Sequence, residues 1–176
     1  MKKALFLDRD GVINIDYGYV HKIENLKFLD NIFTLGKFAI TNDFIIIIIT
    51  NQAGIARGYY TEEEFLNFQK IIENEFENYG IKITQTYYCP HHPEFTNKCK
   101  CRKPEPGMIL KAASDHNIDL ETSIFIGDNI SDMVAAEKAG VKTRILLHSK
   151  DSSSSYFAAK DLQEALECLQ NLCHMS

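Results

Sequence analysis

The sequence predicts an α/β fold built on a doubly wound parallel sheet. Short apolar runs alternate with longer stretches in which apolar residues recur at helical spacing, as in successive strand–helix–strand units. The short runs show little alternation with polar residues, which is typical of strands covered by helices on both faces. Polar residues follow several of these runs, at the edge where open α/β sheets bind ligands. The predicted strands are 4–8, 44–50, 83–88, 124–127 and 141–147.

Length and composition indicate one globular domain. The chain of 176 residues is 45% hydrophobic, so we expect a single domain over residues 1–176 with a substantial core. The net charge of -5 counts against nucleic acid or a membrane surface as partners. No apolar run approaches the roughly 20 residues of a membrane span, and the one near the start ends too soon for a signal peptide. We therefore expect a cytoplasmic monomer.

The first predicted strand ends at two carboxylates, Asp8 and Asp10, with Arg9 between them and Gly11 after them. Carboxylates this close repel each other unless a cation lies between them or one is protonated. A hard divalent ion such as Mg²⁺ resolves the repulsion. A surface turn rich in Asp and Gly explains the same residues equally well when they are considered alone.

The next elements carry the chain from a loop at Asp16–Tyr19 to the second strand. Residues 30–40 have helical spacing, with Asp30 as the expected N-cap. The strand 44–50 is dense in isoleucine and ends in Thr50, Asn51 and Gln52. Arg57 lies in the loop that follows, where it faces either substrate or solvent. A capping box from Thr61 to Glu64 predicts the start of a helix that stops near Gly80.

Two Cys-x-(His or Cys) pairs follow the third predicted strand, separated by a short polar loop. Four such ligands complete a tetrahedron around Zn²⁺ and leave no position for water, which favours a structural metal over a catalytic one. Incidental thiols are the alternative. We expect the zinc loop to span about 89–103 and to fix Arg102 and Lys103, which come directly after the second pair. The predicted ligands are Cys89, His91, Cys99 and Cys101.

The second half of the chain continues the alternation. A helix from Met108 to His116 precedes the strand 124–127, which delivers Asp128; a helix over 133–139 and the last predicted strand follow. Ser152–Ser155 is interpreted as a linker, and a closing helix spans about 161–173 with Asp161 and Glu164 at its start. Cys168 and Cys173 on that helix are interpreted as buried or idle thiols.

Four segments in this order resemble the motifs of the haloacid-dehalogenase-like (HAD-like) phosphohydrolases: Asp8-Arg9-Asp10-Gly11-Val12, Thr50-Asn51-Gln52, Lys103, and Gly127-Asp128. Together with Cys-Pro-His-His-Pro and Cys-x-Cys-Arg-Lys-Pro, they are similar to the D-glycero-D-manno-heptose 1,7-bisphosphate 7-phosphatase family over residues 3–147. The resemblance implies a HAD-like Rossmannoid fold without a cap domain. It also implies removal of a sugar 7-phosphate on the route to ADP- or GDP-heptose for lipopolysaccharide or other surface glycans.

The resemblance also implies the roles of individual residues. Asp8 is the nucleophile, Asp10 is the acid and then the base, and Thr50 and Lys103 complete the catalytic set. Substrate-binding residues are Asp16, Tyr19, Asn51, Arg57 and Arg102. Mg²⁺ is held by Asp8, Asp10 (through its backbone carbonyl) and Asp128, and Zn²⁺ by Cys89, His91, Cys99 and Cys101. The family pattern favours His91 over His92 as the zinc ligand, and Asp132 has a supporting role or serves the start of the next helix.

Two other functions compete with this interpretation. Histidinol-phosphate phosphatases share the four motifs and a similar zinc loop, and only the loops around Gly18–His21 and Ile55–Gly58 favour the sugar substrate. A zinc-stabilised nucleic-acid-binding module is the alternative from another class. The acidic balance and the lack of a stripe of basic and aromatic residues count against it.

Overall fold

The predicted doubly wound α/β fold is confirmed in a computed structural model, which describes residues 1–174 and the side chains of residues 1–172. In this part of the chain, parallel strands form one six-stranded sheet in the order β3-β2-β1-β4-β5-β6. The strands are β1 (Lys3–Leu7), β2 (Phe44–Asn51), β3 (Ile83–Cys89), β4 (Ile124–Gly127), β5 (Thr143–Leu147) and β6 (Phe157–Ala159).

Helices cover both faces of the sheet. They are α1 (Ile32–Thr41), α2 (Ala53–Ala56), α3 (Glu62–Asn78), α4 (Gly107–His116), α5 (Ile130–Ala139) and α6 (Leu162–His174), and a single 3-10 turn spans Ile23–Asn25. In β1, Leu5 and Leu7 pack in one core with α1, α3 and α6, whereas Ala4 and Phe6 pack in the other core with α4 and α5. Because every residue of such a strand is buried on one face or the other, the strand is apolar without a break. None of the helices within residues 1–174 combines the length and apolar character that a membrane span requires.

Several boundaries differ from the prediction, and one strand was missed: β5 begins at Thr143 rather than 141, and α5 begins at Ile130 rather than 133. Helix α1 does not begin at a capping Asp30: its N-cap is Asn31, which has a φ of 69° and makes no side-chain capping bond. Strand β6 was missed because it is only three residues long, a length at which periodicity carries no signal. The capping box of α3 is confirmed, since the Thr61 hydroxyl accepts from the Glu64 N–H (3.1 Å) and the Glu64 carboxylate accepts from the Thr61 N–H (2.7 Å).

Strand order places a crevice at the carboxyl end of β1. The chain runs from β1 outward to β2 and β3 and then returns to the other side of β1 to form β4. Ligands bind at such a reversal because the loops on its two sides diverge and leave a gap. Here β1 and β4 are hydrogen-bonded neighbours, and the Asp8 N–H donates to the Ile126 carbonyl (3.1 Å). Residues that follow β1 and β4 therefore meet at one place.

Candidate active site and candidate metal centre

An acidic cluster lies where β1 and β4 end. Asp8 follows β1, Asp128 follows β4, and Asp132 lies in the first turn of α5, one turn further along the chain. One carboxylate oxygen from each of the three lies within 4.8 Å of the others. Gly11 permits this approach: its φ is +85°, and a Cβ there would overlap the carboxylate of Asp128.

Lys103 is the cation of this cluster and is almost fully buried, with 4% of its surface exposed. Its Nζ lies 2.8 Å from Asp8 Oδ1 and 2.6 Å from Asp132 Oδ1, and it donates to the Ile49 carbonyl at 3.0 Å. Burial alone would lower the pKa of Lys103, but the charges of Asp132 and Asp8 outweigh it and raise that pKa above its ordinary value. Lys103 therefore remains charged and pairs with two carboxylates at once.

The backbone of Lys103 is held at the end of β2. The Asn51 side chain accepts from the Lys103 N–H (3.1 Å) and donates to the Lys103 carbonyl (3.2 Å). This pair of bonds fixes both polar groups of one residue, in the way that a neighbouring strand does. Asn51 lines the crevice, but both ends of its amide are occupied by Lys103.

Charge in the cluster is not balanced by Lys103 alone. Burial raises the pKa of Asp8 well above its usual value; Lys103 opposes that rise, and the charges of Asp132 and Asp128 add to it. Burial, followed by the charge of Asp132, also raises the pKa of Asp128. A second cation would relieve both effects. The donors are carboxylate oxygens, which are the ligands of hard ions such as Mg²⁺. The residues present therefore fit the predicted magnesium site.

The carboxylate of Asp10 is not part of this acidic cluster and is held by three other side chains. It accepts from Arg9 Nη2 (3.0 Å), Asn14 Nδ2 (3.0 Å) and Gln52 Nε2 (3.2 Å). Gln52 also donates to the Thr50 hydroxyl (2.9 Å) and accepts from the Tyr60 hydroxyl (2.6 Å). Asp10 lines the crevice with its carboxylate in a fixed orientation.

The crevice above these groups has a volume of about 410 Å³. Most of the predicted substrate-binding residues line it: Asp16, Tyr19, Asn51 and Arg102. Arg57 does not. Its guanidinium contacts the rings of Tyr19 and Phe95, beside the crevice. Arg57 thus contacts a residue that lines the crevice without lining it itself, and its contact with substrate stays a prediction.

Four sulfur and nitrogen ligands meet in the loop that follows β3. The three Sγ atoms of Cys89, Cys99 and Cys101 lie 2.9–3.5 Å apart, and His91 Nδ1 lies 3.6 Å from Cys89 Sγ and 3.3 Å from Cys101 Sγ. A tetrahedral zinc ion with Zn–S bonds of about 2.3 Å separates its sulfur ligands by about 3.8 Å, so the group is only slightly tighter than a zinc site. The residues therefore fit zinc with His91, and His92 instead contacts Arg57.

Sequence reasoning underestimated the residues that hold the catalytic candidates in place. Asp132 was given only a supporting role, yet it pairs with Lys103 and also caps α5 by accepting from the Asp128 and Asn129 N–H groups (3.2 and 3.1 Å). Its spacing of four from Asp128, across the start of a helix, was the available signal. Gln52 and Asn14 were missed as partners of Asp10. Gln52 is 42 residues away in sequence, and Asn14, only four residues away, reaches Asp10 through the turn that follows β1, which has no periodic pattern.

Comparisons with known proteins agree with this geometry. The family model described as "HAD-hyrolase-like" matches residues 100–167. The D-glycero-alpha-D-manno-heptose-1,7-bisphosphate 7-phosphatase of Campylobacter jejuni is 47% identical over 165 residues, which cover 93% of this chain and 94% of that protein. The D-glycero-beta-D-manno-heptose-1,7-bisphosphate 7-phosphatase of Helicobacter pylori is 44% identical, with coverage of 96% and 98%. The crystal structure of D,D-heptose 1,7-bisphosphate phosphatase from B. bronchiseptica complexed with magnesium and phosphate has a TM-score of 0.85 at 26% identity, and the match covers 96% of this chain and 98% of that one.

Proposed function

The chain belongs to the family of D-glycero-D-manno-heptose-1,7-bisphosphate 7-phosphatases, and from this membership we propose that it removes the 7-phosphate of that sugar bisphosphate. It is thus a phosphoric monoester hydrolase of the HAD superfamily. The substrate assignment rests on the identity of 47% to the Campylobacter jejuni protein over 93% of the chain. The product would enter the synthesis of ADP- or GDP-heptose for surface glycans, and we propose that the enzyme acts as a cytoplasmic monomer without a cap domain.

Asp8 is proposed as the nucleophile that attacks the phosphorus atom. Its bond to Lys103 at 2.8 Å stabilises the anionic form, which burial alone disfavours. A phosphoryl group approaching Asp8 brings further negative charge, and the Lys103 ammonium is already in place to stabilise it. The phosphorus–sugar oxygen bond breaks as the Asp8–phosphorus bond forms, giving an aspartyl phosphate.

Asp10 is proposed to protonate the leaving sugar oxygen and then to take a proton from the water that hydrolyses the aspartyl phosphate. The hydrogen bonds from Arg9, Asn14 and Gln52 support this role, because they fix the direction of its carboxylate without using the acidic cluster. Gln52 also connects Asp10 to Thr50, whose hydroxyl we propose as a donor to a phosphoryl oxygen.

Mg²⁺ is proposed to be held by the carboxylates of Asp8 and Asp128 and by the backbone carbonyl of Asp10. Bound there, it supplies positive charge that offsets the phosphate and orients it. Asp132 is the weaker candidate for a ligand, because its oxygens already serve Lys103 and the start of α5. Zn²⁺ is proposed at Cys89, His91, Cys99 and Cys101, where it holds the loop that carries Arg102 and Lys103.

Asp16, Tyr19 and Arg102 are proposed to contact the sugar phosphate directly, since all three line the crevice. Asn51 contributes through Lys103, because its amide is occupied by the Lys103 backbone. Arg57 contributes through Tyr19, whose ring it contacts.

The experiment that tests this proposal compares phosphate release from both anomers of heptose 1,7-bisphosphate with release from histidinol phosphate, at equal Mg²⁺. We expect kcat/KM to be at least about 100-fold higher for one heptose anomer, the discrimination typical of a site whose polar groups the wrong substrate leaves unpaired. Faster hydrolysis of histidinol phosphate would refute the substrate assignment and leave the phosphatase chemistry in place.

A further inference from the structure

Three segments meet beside the crevice and form a rim. They are the substrate loop (residues 16–21), the segment between α2 and α3 (residues 57–60) and the loop tip (residues 92–96), which lies within the Cys/His loop (residues 89–103). Arg57 is at their junction. Its Cζ lies 4.9 Å from the centre of the Phe95 ring and 5.9 Å from that of Tyr19, and its Nη2 lies 3.4 Å from His92 Nε2. One arginine thus connects the loop tip with the substrate loop.

Of the four contacting side chains Tyr19, Arg57, His92 and Phe95, Tyr19 lines the crevice and the other three do not. Its ring contacts Arg57 and packs in a T-shaped arrangement with Tyr59, at 4.8 Å between ring centres. Tyr19 has a φ of 51°, so its backbone is in a left-handed conformation that non-glycine residues adopt only when contacts around them favour it. The position of the ring therefore depends on the groups that it contacts.

Phe95 is presented by a compact turn rather than by a core. The Phe95 and Thr96 N–H groups both donate to the His92 carbonyl (3.0 and 2.8 Å), and the His92 N–H donates to the Thr96 hydroxyl (2.9 Å). The Phe95 side chain is 53% exposed, so the core does not fix its ring. Its contacts on the rim are with Arg57 and, at 5.4 Å between ring centres, with His92.

Arg57 has a buried Nε for which the described residues supply no hydrogen-bond partner. The guanidinium is thus held mainly by the two rings that it contacts, and among the described residues no carboxylate pairs with it. Each cation–π contact holds the guanidinium against one ring, so the two contacts together fix its position. Loss of the Phe95 ring would free Arg57 and, with it, the support of Tyr19.

We propose that Phe95 is a positioning residue for substrate recognition: through Arg57 it holds Tyr19 against the part of the substrate that does not react, the sugar body and its second phosphate. The proposal rests on the proposed function, because only a substrate larger than the reacting phosphate reaches the rim. Phe95 does not touch the substrate, and the acidic cluster does not depend on it. Its effect therefore falls on binding of a large phosphate ester and leaves the chemical step unchanged.

The test compares two substrates in three variants. In Phe95→Ala, we expect KM for heptose 1,7-bisphosphate to rise about two- to five-fold, the size of one exposed cation–π contact, with kcat unchanged. Both constants for p-nitrophenyl phosphate, which lacks the sugar hydroxyls and the second phosphate that the rim is proposed to position, should stay at the wild-type values. Phe95→Tyr keeps the ring and should restore KM. Phe157→Ala, on the edge strand β6, removes a comparably exposed ring (45%) and should change nothing.

Other results would overturn the proposal. An unchanged KM for the bisphosphate in Phe95→Ala, or an equal loss of kcat on both substrates, would show that Phe95 has no positioning role or acts only by maintaining the loop. Absence of bisphosphate turnover in the wild-type enzyme would refute the proposed function instead. In that case the inhibition constant of the bisphosphate against p-nitrophenyl phosphate hydrolysis reports the rim: a two- to five-fold rise in Phe95→Ala supports the proposal, and no rise or no inhibition refutes it.

Discussion

Replacement of Lys103 by methionine tests the central electrostatic claim, that one buried cation holds two carboxylates. Methionine has a similar length and no charge, so Asp8 and Asp132 lose their partner at 2.8 and 2.6 Å while the packing changes little. Removal of one member of a buried ion pair costs about 3–5 kcal/mol, because the remaining charge stays desolvated. We expect Lys103→Met to lower the free energy of unfolding by that amount near pH 7.5, measured by urea denaturation in magnesium-free buffer.

The matched control is Lys138→Met. Its pair with Glu105 has a distance of 2.9 Å, but the two side chains are 45% and 47% exposed, so solvent screens the charges. Such a surface pair contributes less than about 1 kcal/mol. The two ion pairs have similar distances and differ in burial, so the two variants isolate the effect of burial on the free energy of unfolding. Equal losses of unfolding free energy in Lys103→Met and Lys138→Met would refute the reasoning.

The loss caused by Lys103→Met should also depend on pH. Lys103 opposes the rise in the pKa of Asp8, so its removal raises that pKa further. An acid whose pKa is higher in the folded chain than in the unfolded chain binds more protons when folded, and the free energy of unfolding then falls as pH rises. We expect a smaller loss at pH 5 than at pH 7.5, with a slope of at most about 1.4 kcal/mol per pH unit for one proton. A larger loss at pH 5 would show that the Asp8 charge is not the cause.

Three further substitutions test the remaining parts of the site. Asp8→Asn should abolish phosphate release, and its free energy of unfolding should be unchanged or higher because a buried charge is removed. The control Asp30→Asn changes an exposed residue and should keep full activity. Turnover by Asp8→Asn would exclude Asp8 as the nucleophile. Gly11→Ala should weaken Mg²⁺ binding, measured by calorimetry, because the added Cβ overlaps the Asp128 carboxylate. The control Gly80→Ala has a similar positive φ (+73° against +85°), but its added Cβ meets no neighbour. Equal Mg²⁺ affinity in the two variants would contradict the overlap. Metal analysis of protein purified without chelator should give close to one zinc per chain. Cys101→Ser should lower this zinc content, and the control Cys168→Ser should not. A stable wild-type protein without zinc would refute the structural metal.

Most of the fold could be predicted because its signals are local. Strand-length apolar runs such as 44–50 are determined by burial on two faces, and the capping box at Thr61 is complete within four residues. Strand β6 and the start of α1 were not predicted correctly. Each depends on neighbours brought by the tertiary structure: β6 pairs with β5, and Asn31 adopts a left-handed conformation that no capping rule anticipates.

The site divides in the same way. Asp8, Lys103 and Asp128 were found because each follows a strand or a loop with a recognisable motif, and the structure brings them together. Their assigned roles in catalysis stay predictions. What the sequence did not reveal is how each group is held: the bond from Gln52 to Asp10 spans 42 residues, and the pair between Asn51 and Lys103 spans 52. Arg57 was predicted to face either substrate or solvent, whereas the structure shows it in contact with Tyr19 and Phe95, which come from two other loops.

The two hydrogen bonds between Asn51 and the Lys103 backbone make the position of Lys103 independent of the length of the Cys/His loop. The loop is anchored at one end by β3 and at the other by the Asn51 amide, which pairs with the Lys103 backbone as a neighbouring strand would. Residues between these two anchors can be added, removed or replaced while the Lys103 ammonium keeps its position. The loop beside the substrate can therefore change in sequence and length while the positive charge that stabilises the transferred phosphoryl group keeps its position.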